Sequence, residues 1–218
     1  MSAKAPRTER LVWVGLALTI AMVLLASLLA LLKLEAGFGK SLPVYGQVAD
    51  FALTNQDGRT VSLADLRGRV WVADIIFTRC AGPCLKMSRQ MLELQQSLPG
   101  GSDAKLVSLT TDPDFDSPSV LKKYSERFSA DPTRWWFLTG TKPQIAALAI
   151  DSLKLTAVEK RPEERQSPAD LFVHSTIFVI VDKRGQLRGV YQTAGEGIDP
   201  QQVKSQLLAG IRRLEREG

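Results

Sequence analysis

The chain has 218 residues, with 28 Lys and Arg against 23 Asp and Glu, but only two cysteines and one histidine. Two cysteines exclude a scaffold built on many disulfides. Of the +5 net charge, Lys4, Arg7, Arg10, Lys33 and Lys40 against Glu9 and Glu35 carry +3, so the rest of the chain is near +2 and its basicity is no argument for a nucleic-acid partner.

Leu11 to Leu32 is a run of 22 residues without a charge, enough to cross a bilayer as a helix. The basic flank places residues 1–10 in the cytoplasm and everything after Lys33 on the far side. A cleaved signal peptide is the competing reading, but the run is long for one and no A-x-A site follows it. Residues 33–46 read as a linker, and residues 47–218 are long enough for one domain with its own core.

Within that domain, Phe51 to Leu63 reads as a hairpin, with Asp57-Gly58 supplying the turn. Val70 to Phe77 is mostly apolar, as expected for a strand buried on both faces. Pro83 to Leu98 has helical spacing, and Pro83 is tolerated in the first turn. Lys105 to Thr110 is the next strand, and Val120 to Phe128 a helix capped by Ser117 or Ser119. Trp135 to Leu138 is a short strand, followed by a helix from Pro143 to about Ile150 and a polar loop from Glu159 to Ala169. Ser175 to Val181 and Leu187 to Tyr191 form a hairpin across Asp182 to Gly185, and Pro200 to Glu217 is a closing amphipathic helix. This alternation predicts an α/β three-layer sandwich with an N-terminal hairpin, preceded by a single transmembrane helix. A strand, then a dithiol at a helix start, then a hairpin and a terminal helix is the order of a thioredoxin-like fold.

Cys80 and Cys84 stand four apart in Phe77-Thr-Arg-Cys80-Ala-Gly-Pro-Cys84, where the strand pattern gives way to the helix. A helix N-terminus favours thiolate, the form that binds soft metals and attacks disulfides. A spacing of four brings both sulfurs to nearly one face, so they can hold one ion or form a disulfide. A loop that short makes a poor structural staple, which points the pair towards function. Thioredoxin-type redox enzymes use C-x-x-C, and the extra residue here eases the geometry for a shared ion.

His174 stands at the start of the Ser175 strand, a placement that a thioredoxin-like fold brings near the dithiol. Two thiolates and one imidazole are a soft set suited to copper. Structural zinc needs a closed four-ligand shell, and no fourth ligand is evident.

Asp112, Asp114 and Asp116 alternate like the start of a calcium loop, but Ser117 and Lys123 occupy the positions that need Gly and Glu, which leaves a turn with a helix cap. Met87 and Met91 at helical spacing read as core, and Trp135 and Trp136 as packing. A peroxiredoxin reading fails because Thr78 is two residues before Cys80 instead of three, and Asp74 stands where that signature has Pro.

The chain resembles the SCO/SenC family of membrane-anchored copper proteins. The matching segments are Phe51-Ala-Leu-Thr-Asn-Gln-Asp-Gly, Val61-Ser-Leu-Ala-Asp-Leu-Arg-Gly, Phe77-Thr-Arg-Cys80 with Gly82-Pro-Cys84, Thr111-Asp-Pro with Asp116-Ser-Pro, Trp136-Phe-Leu-Thr-Gly, and Val173-His174-Ser175. The family usually has Pro after each cysteine and often an acidic residue before the histidine, where this chain has Ala81, Leu85 and Val173. The resemblance implies that Cys80, Cys84 and His174 bind one copper ion per chain. It implies delivery of that copper to the binuclear centre of cytochrome c oxidase subunit II, or to another copper acceptor. It leaves open reduction of the partner's cysteines by a Cys80–Cys84 dithiol–disulfide couple, which would make the chain a thiol-disulfide oxidoreductase. The expected location is the inner cell membrane, with the 47–218 domain in the periplasm and Asp112 beside the copper site.

Overall fold

The computed structural model describes residues 7–38, 41–80, 82–165 and 172–217, and the side chains within them except at residues 7–11, 30–38, 157–159, 162 and 172–174. The chain divides into two compact units, Met1–Ser41 and Leu42–Gly218. The first is the helix α1 (Arg7–Phe38), in which Val12–Leu29 is long and apolar enough to cross a membrane.

The second unit is built on an eight-stranded mixed sheet of order β1-β10-β9-β4-β5-β6-β2-β3. Its strands are β1 (Gly46–Gln47), β2 (Ala52–Asn55), β3 (Thr60–Ser62), β4 (Trp71–Ile76), β5 (Lys105–Thr110), β6 (Trp135–Thr139), β9 (Ile177–Val181) and β10 (Gln186–Gln192). β4, β5 and β6 run parallel at the centre, with Asp74 beside Ser108 and Ser108 beside Phe137. The flanking pairs are antiparallel. β7 (Ala157–Glu159) and β8 (Phe172–His174) form a separate two-stranded sheet in which Ala157 lies opposite His174.

β4 is buried along its whole length. Its alternation sends Val72 and Ile76 to one face, under α3 (Pro83–Ser97), α4 (Pro118–Arg127) and α6 (Pro200–Arg216). Trp71, Ala73 and Ile75 go to the other, under α2 (Leu63–Leu66) and α5 (Lys142–Ala146). The expected three-layer sandwich is therefore present, with its core split by the sheet. Met87, Met91 and Leu94 are the apolar stripe of α3, each worth roughly 1.5–3 kcal/mol of burial. Met87 and Met91 are core residues, and Trp135 is fully buried with its indole donating to Ser108 Oγ at 2.9 Å.

Helix starts follow the expected chemistry. Ser117 accepts from the Val120 amide at α4, and Thr141 and Gln144 form a capping box at α5. Gly58 and Gly185 take φ of 75° and 78° in the two hairpin turns, a conformation that excludes most side chains.

Three details depart from the expectation. The helix after β6 leaves the α form at Ala146 and continues as a wider π-helix over Ala147–Ser152. The segment expected as a loop from Glu159 contains the end of β7 and a 3-10 turn over Pro162–Glu164, while 166–171 lie outside the described residues. His174 closes β8 instead of opening the following strand. The chain breaks at Ser175–Thr176, where the Ser175 amide donates to Thr156 O and the Thr176 carbonyl accepts from both Thr193 N and Thr193 Oγ1.

Candidate metal centre

β4 leaves the sheet at Ile76 and runs through Phe77, Thr78 and Arg79 to Cys80. The Cys80 amide turns back to the Phe77 carbonyl at 3.2 Å. Gly82 then caps α3, Pro83 is its first residue, and Cys84 sits in the first turn. The two cysteines are not joined by a disulfide, and their thiols hydrogen-bond to each other. Cys84 is fully buried, whereas Cys80 keeps 7 % of its surface.

The Cys84 thiol is pushed far above the ordinary thiol range. The hydrogen bond with Cys80 is the largest cause, followed by burial and by the Cys80 charge. These outweigh the helix N-terminus, so in the metal-free protein Cys84 is a thiol and not the expected thiolate. Beneath the pair, Asp74 is fully buried on the α3 face of β4 and adds its charge to the same upward push. Tyr124 hydrogen-bonds to Ser88 at 2.9 Å beside them, and burial pushes its phenol up as well.

The loop after β5 closes over the cysteine segment. Asp112 takes Arg79 Nε at 3.1 Å and Nη2 at 2.5 Å, and that guanidinium lies 4.3 Å from the Phe115 ring. Asp116 is fully buried and accepts from the Thr78 amide at 3.1 Å and from the Thr78 and Thr110 hydroxyls at 2.5 Å each. Burial pushes the Asp116 carboxyl up, against the hydrogen bonds that pull it down. Asp114 points elsewhere, to Lys142 at 2.8 Å. The three aspartates diverge, consistent with a turn and helix cap and not with an ion loop.

The topology carries His174 to the same end of the sheet. β9 is antiparallel to β4, with Ala73 opposite Val179, so the chain enters β9 where β4 departs towards Cys80. His174 precedes β9 by three residues, and its side chain lies outside the described residues. Among the described residues no three His, Cys, Asp or Glu side chains converge as a metal-binding cluster, and the two sulfurs are the convergent pair. Asp74, Thr78, Arg79 and Asp116 were not singled out as site residues by sequence. The lone aspartate within VWVADIIF and the Asp112–Asp116 alternation were the available signals.

The SCO1/SenC family profile matches residues 43–209. A SCO1 protein homolog of Bacillus subtilis (strain 168) is 36% identical over 147 residues, which are 66% of this chain and 73% of that one. Among solved structures, BsSco, presented as a member of the Sco family of cytochrome c oxidase assembly proteins with a disulfide switch, aligns with a TM-score of 0.63 and 31% identity. The match covers 78% of this chain and 98% of BsSco. Bradyrhizobium japonicum ScoI, solved with copper bound, aligns with a TM-score of 0.60 at 21% identity, over 74% of this chain and 98% of that one, a likeness of fold. The sandwich is thus the thioredoxin-like fold of these proteins.

Proposed function

The chain belongs to the SCO1/SenC family, and from that membership we propose that it is a copper carrier, binding one copper ion through Cys80, Cys84 and His174 and passing it to an acceptor during cytochrome c oxidase assembly. The observation that carries the reading is the pair of mutually hydrogen-bonded thiols at the sheet end where β9 begins, three residues after His174. Two thiolates and a neutral imidazole are ligands for a soft ion. Copper uptake would displace both thiol protons, so the burial that raises Cys84 also ties loading to proton release. ScoI of Bradyrhizobium japonicum, with the same fold, holds copper in its structure, which supports the assignment.

The acceptor on this reading is the binuclear centre of cytochrome c oxidase subunit II. α1 would anchor residues 11–32 in the inner membrane. Lys4, Arg7 and Arg10 would keep the N-terminus cytoplasmic, and the copper domain would face the periplasm.

The hydrogen bond between the two thiols favours a second reading, thiol–disulfide exchange on the acceptor's cysteines, and BsSco has a disulfide switch. In that chemistry one thiolate attacks the partner disulfide, the other cysteine resolves the mixed disulfide, and His174 is dispensable.

The histidine separates the two. Reduced full-length protein in detergent, titrated with Cu(I) against a chromogenic chelator, should take up one copper per chain. Cys80→Ser and His174→Ala should each weaken it by more than about tenfold, the loss that even outer-shell changes cause at metal sites. Uptake unchanged by His174→Ala, or none in the parent, would move the assignment to thiol exchange.

A further inference from the structure

We infer that Asp116 is a positioning residue for the Cys80–Cys84 pair, acting through Thr78. The two cysteines are held by different means. Cys84 belongs to α3, whose Met87, Met91 and Leu94 are locked in the core at 1 % exposure or less. Cys80 lies outside that helix, on the short connection from β4, and its place depends on what grips the connection.

The grip is the segment from Thr110 to Asp116. The Thr111 amide holds Ile76 O at 2.8 Å, Asp116 holds the amide and hydroxyl of Thr78, and Asp112 holds the guanidinium of Arg79. Three of the four residues before Cys80 are thus tied to one loop. The loop is itself braced, since Thr110 Oγ1 donates to Asp116 and accepts from the Asp112 amide, and the Asp116 amide returns to Asp112 O. Asp116 is the keystone because its carboxyl, fully buried, bonds side chains of both β5 and the cysteine segment together with the Thr78 backbone amide. A buried carboxylate is costly unless its acceptor sites are filled, and here the Thr78 amide and the Thr78 and Thr110 hydroxyls, from the two strand ends flanking the dithiol, donate to it. Releasing this grip frees the Cys80 backbone relative to Cys84. Both a shared ion and a disulfide then bear the entropy of bringing the sulfurs together, which the native fold has already met.

The dithiol–disulfide equilibrium reads this directly. Cys80 and Cys84 give two electrons and two protons to oxidised glutathione, forming their S–S bond and two reduced glutathiones. In the full-length protein, Thr78→Val and Asp116→Ala should shift that equilibrium about tenfold towards the dithiol, a potential about 30 mV higher. Thr78→Ser, which keeps the hydroxyl, and Asp114→Ala, on the same loop but outside the clasp, should stay within about twofold of the parent, and the affinity for Cu(I) should follow the same order. The copper arm rests on the function proposed above and the glutathione arm does not. A parent that takes up no copper therefore defeats the carrier reading while the potentials still decide the clasp. Folded Thr78→Val with the parent's potential would overturn the inference. So would unfolding of both Thr78→Val and Asp116→Ala, since Asp116 would then be a fold determinant only.

Discussion

At the scale of single residues, Cys80 and Cys84 are chemically alike and environmentally different. Their spacing and their place at a helix start were legible in the sequence, and that placement argues for thiolate. The fold reverses it for Cys84, because the hydrogen bond with Cys80, burial and the Cys80 charge together penalise the thiolate. No local pattern reports burial, so this part of the site was invisible beforehand. Asp116 was unreadable for the same reason. Its partner Thr78 lies 38 residues away, and only the parallel pairing of β4 with β5 brings the two together.

The raised Cys84 value fixes the sign of a pH effect. The folded chain retains a proton that the unfolded chain releases above the ordinary thiol value of 9.0. That contribution is complete below this pH and is lost as pH rises beyond it. The urea midpoint of the reduced protein should therefore fall between pH 8 and pH 10, and fall less in Cys84→Ser. Tyr124, also raised by burial, contributes to both proteins and cancels in the comparison. Equal falls in parent and variant would show that Cys84 does not hold its proton in the fold.

At the scale of elements, the long periodic segments were readable and the short ones were not. β4 declares itself by unbroken apolarity, and α3 and α6 by their helical stripes. β1, β7 and β8 have two or three residues each and exist because a neighbour pairs with them, which no window of sequence contains. The offset of His174 from β9 has that origin: pairing with Ala157 claims it for β8. β10 supplies an anchor of the same kind through Arg188. Its side chain, 7% exposed, bonds Asp182 at 2.6 Å, Glu217 at 2.8 Å and the Leu42 carbonyl at 2.7 Å, fastening the start of this unit to its last residues. Removing one member of a buried ion pair strands the other, so Arg188→Ala should cost about 3 kcal/mol in urea unfolding. Arg161→Ala, which breaks an exposed pair with Glu164, should cost less than about 0.5 kcal/mol. Comparable losses in the two variants would remove Arg188 from the role of anchor.

At the scale of the whole molecule, an apolar helix and a three-layer domain are joined in one chain, and the chemistry gathers at one end of the sheet. β4 and β5 both finish there, one leading to the dithiol and the other to the aspartate loop, while β9 begins there after His174. Parallel central strands with an antiparallel neighbour make that convergence a property of topology. This is why the order of elements in the sequence already pointed to the site. The proposed carrier holds its copper through two sulfurs and one imidazole. X-ray absorption at the copper edge of the reduced full-length protein, loaded with one equivalent of Cu(I), measures that ligand set directly. Two sulfur scatterers and one nitrogen per copper, with the imidazole signature lost in His174→Ala, is the predicted result. A shell without sulfur, or a His174→Ala spectrum identical to the parent's, would contradict it.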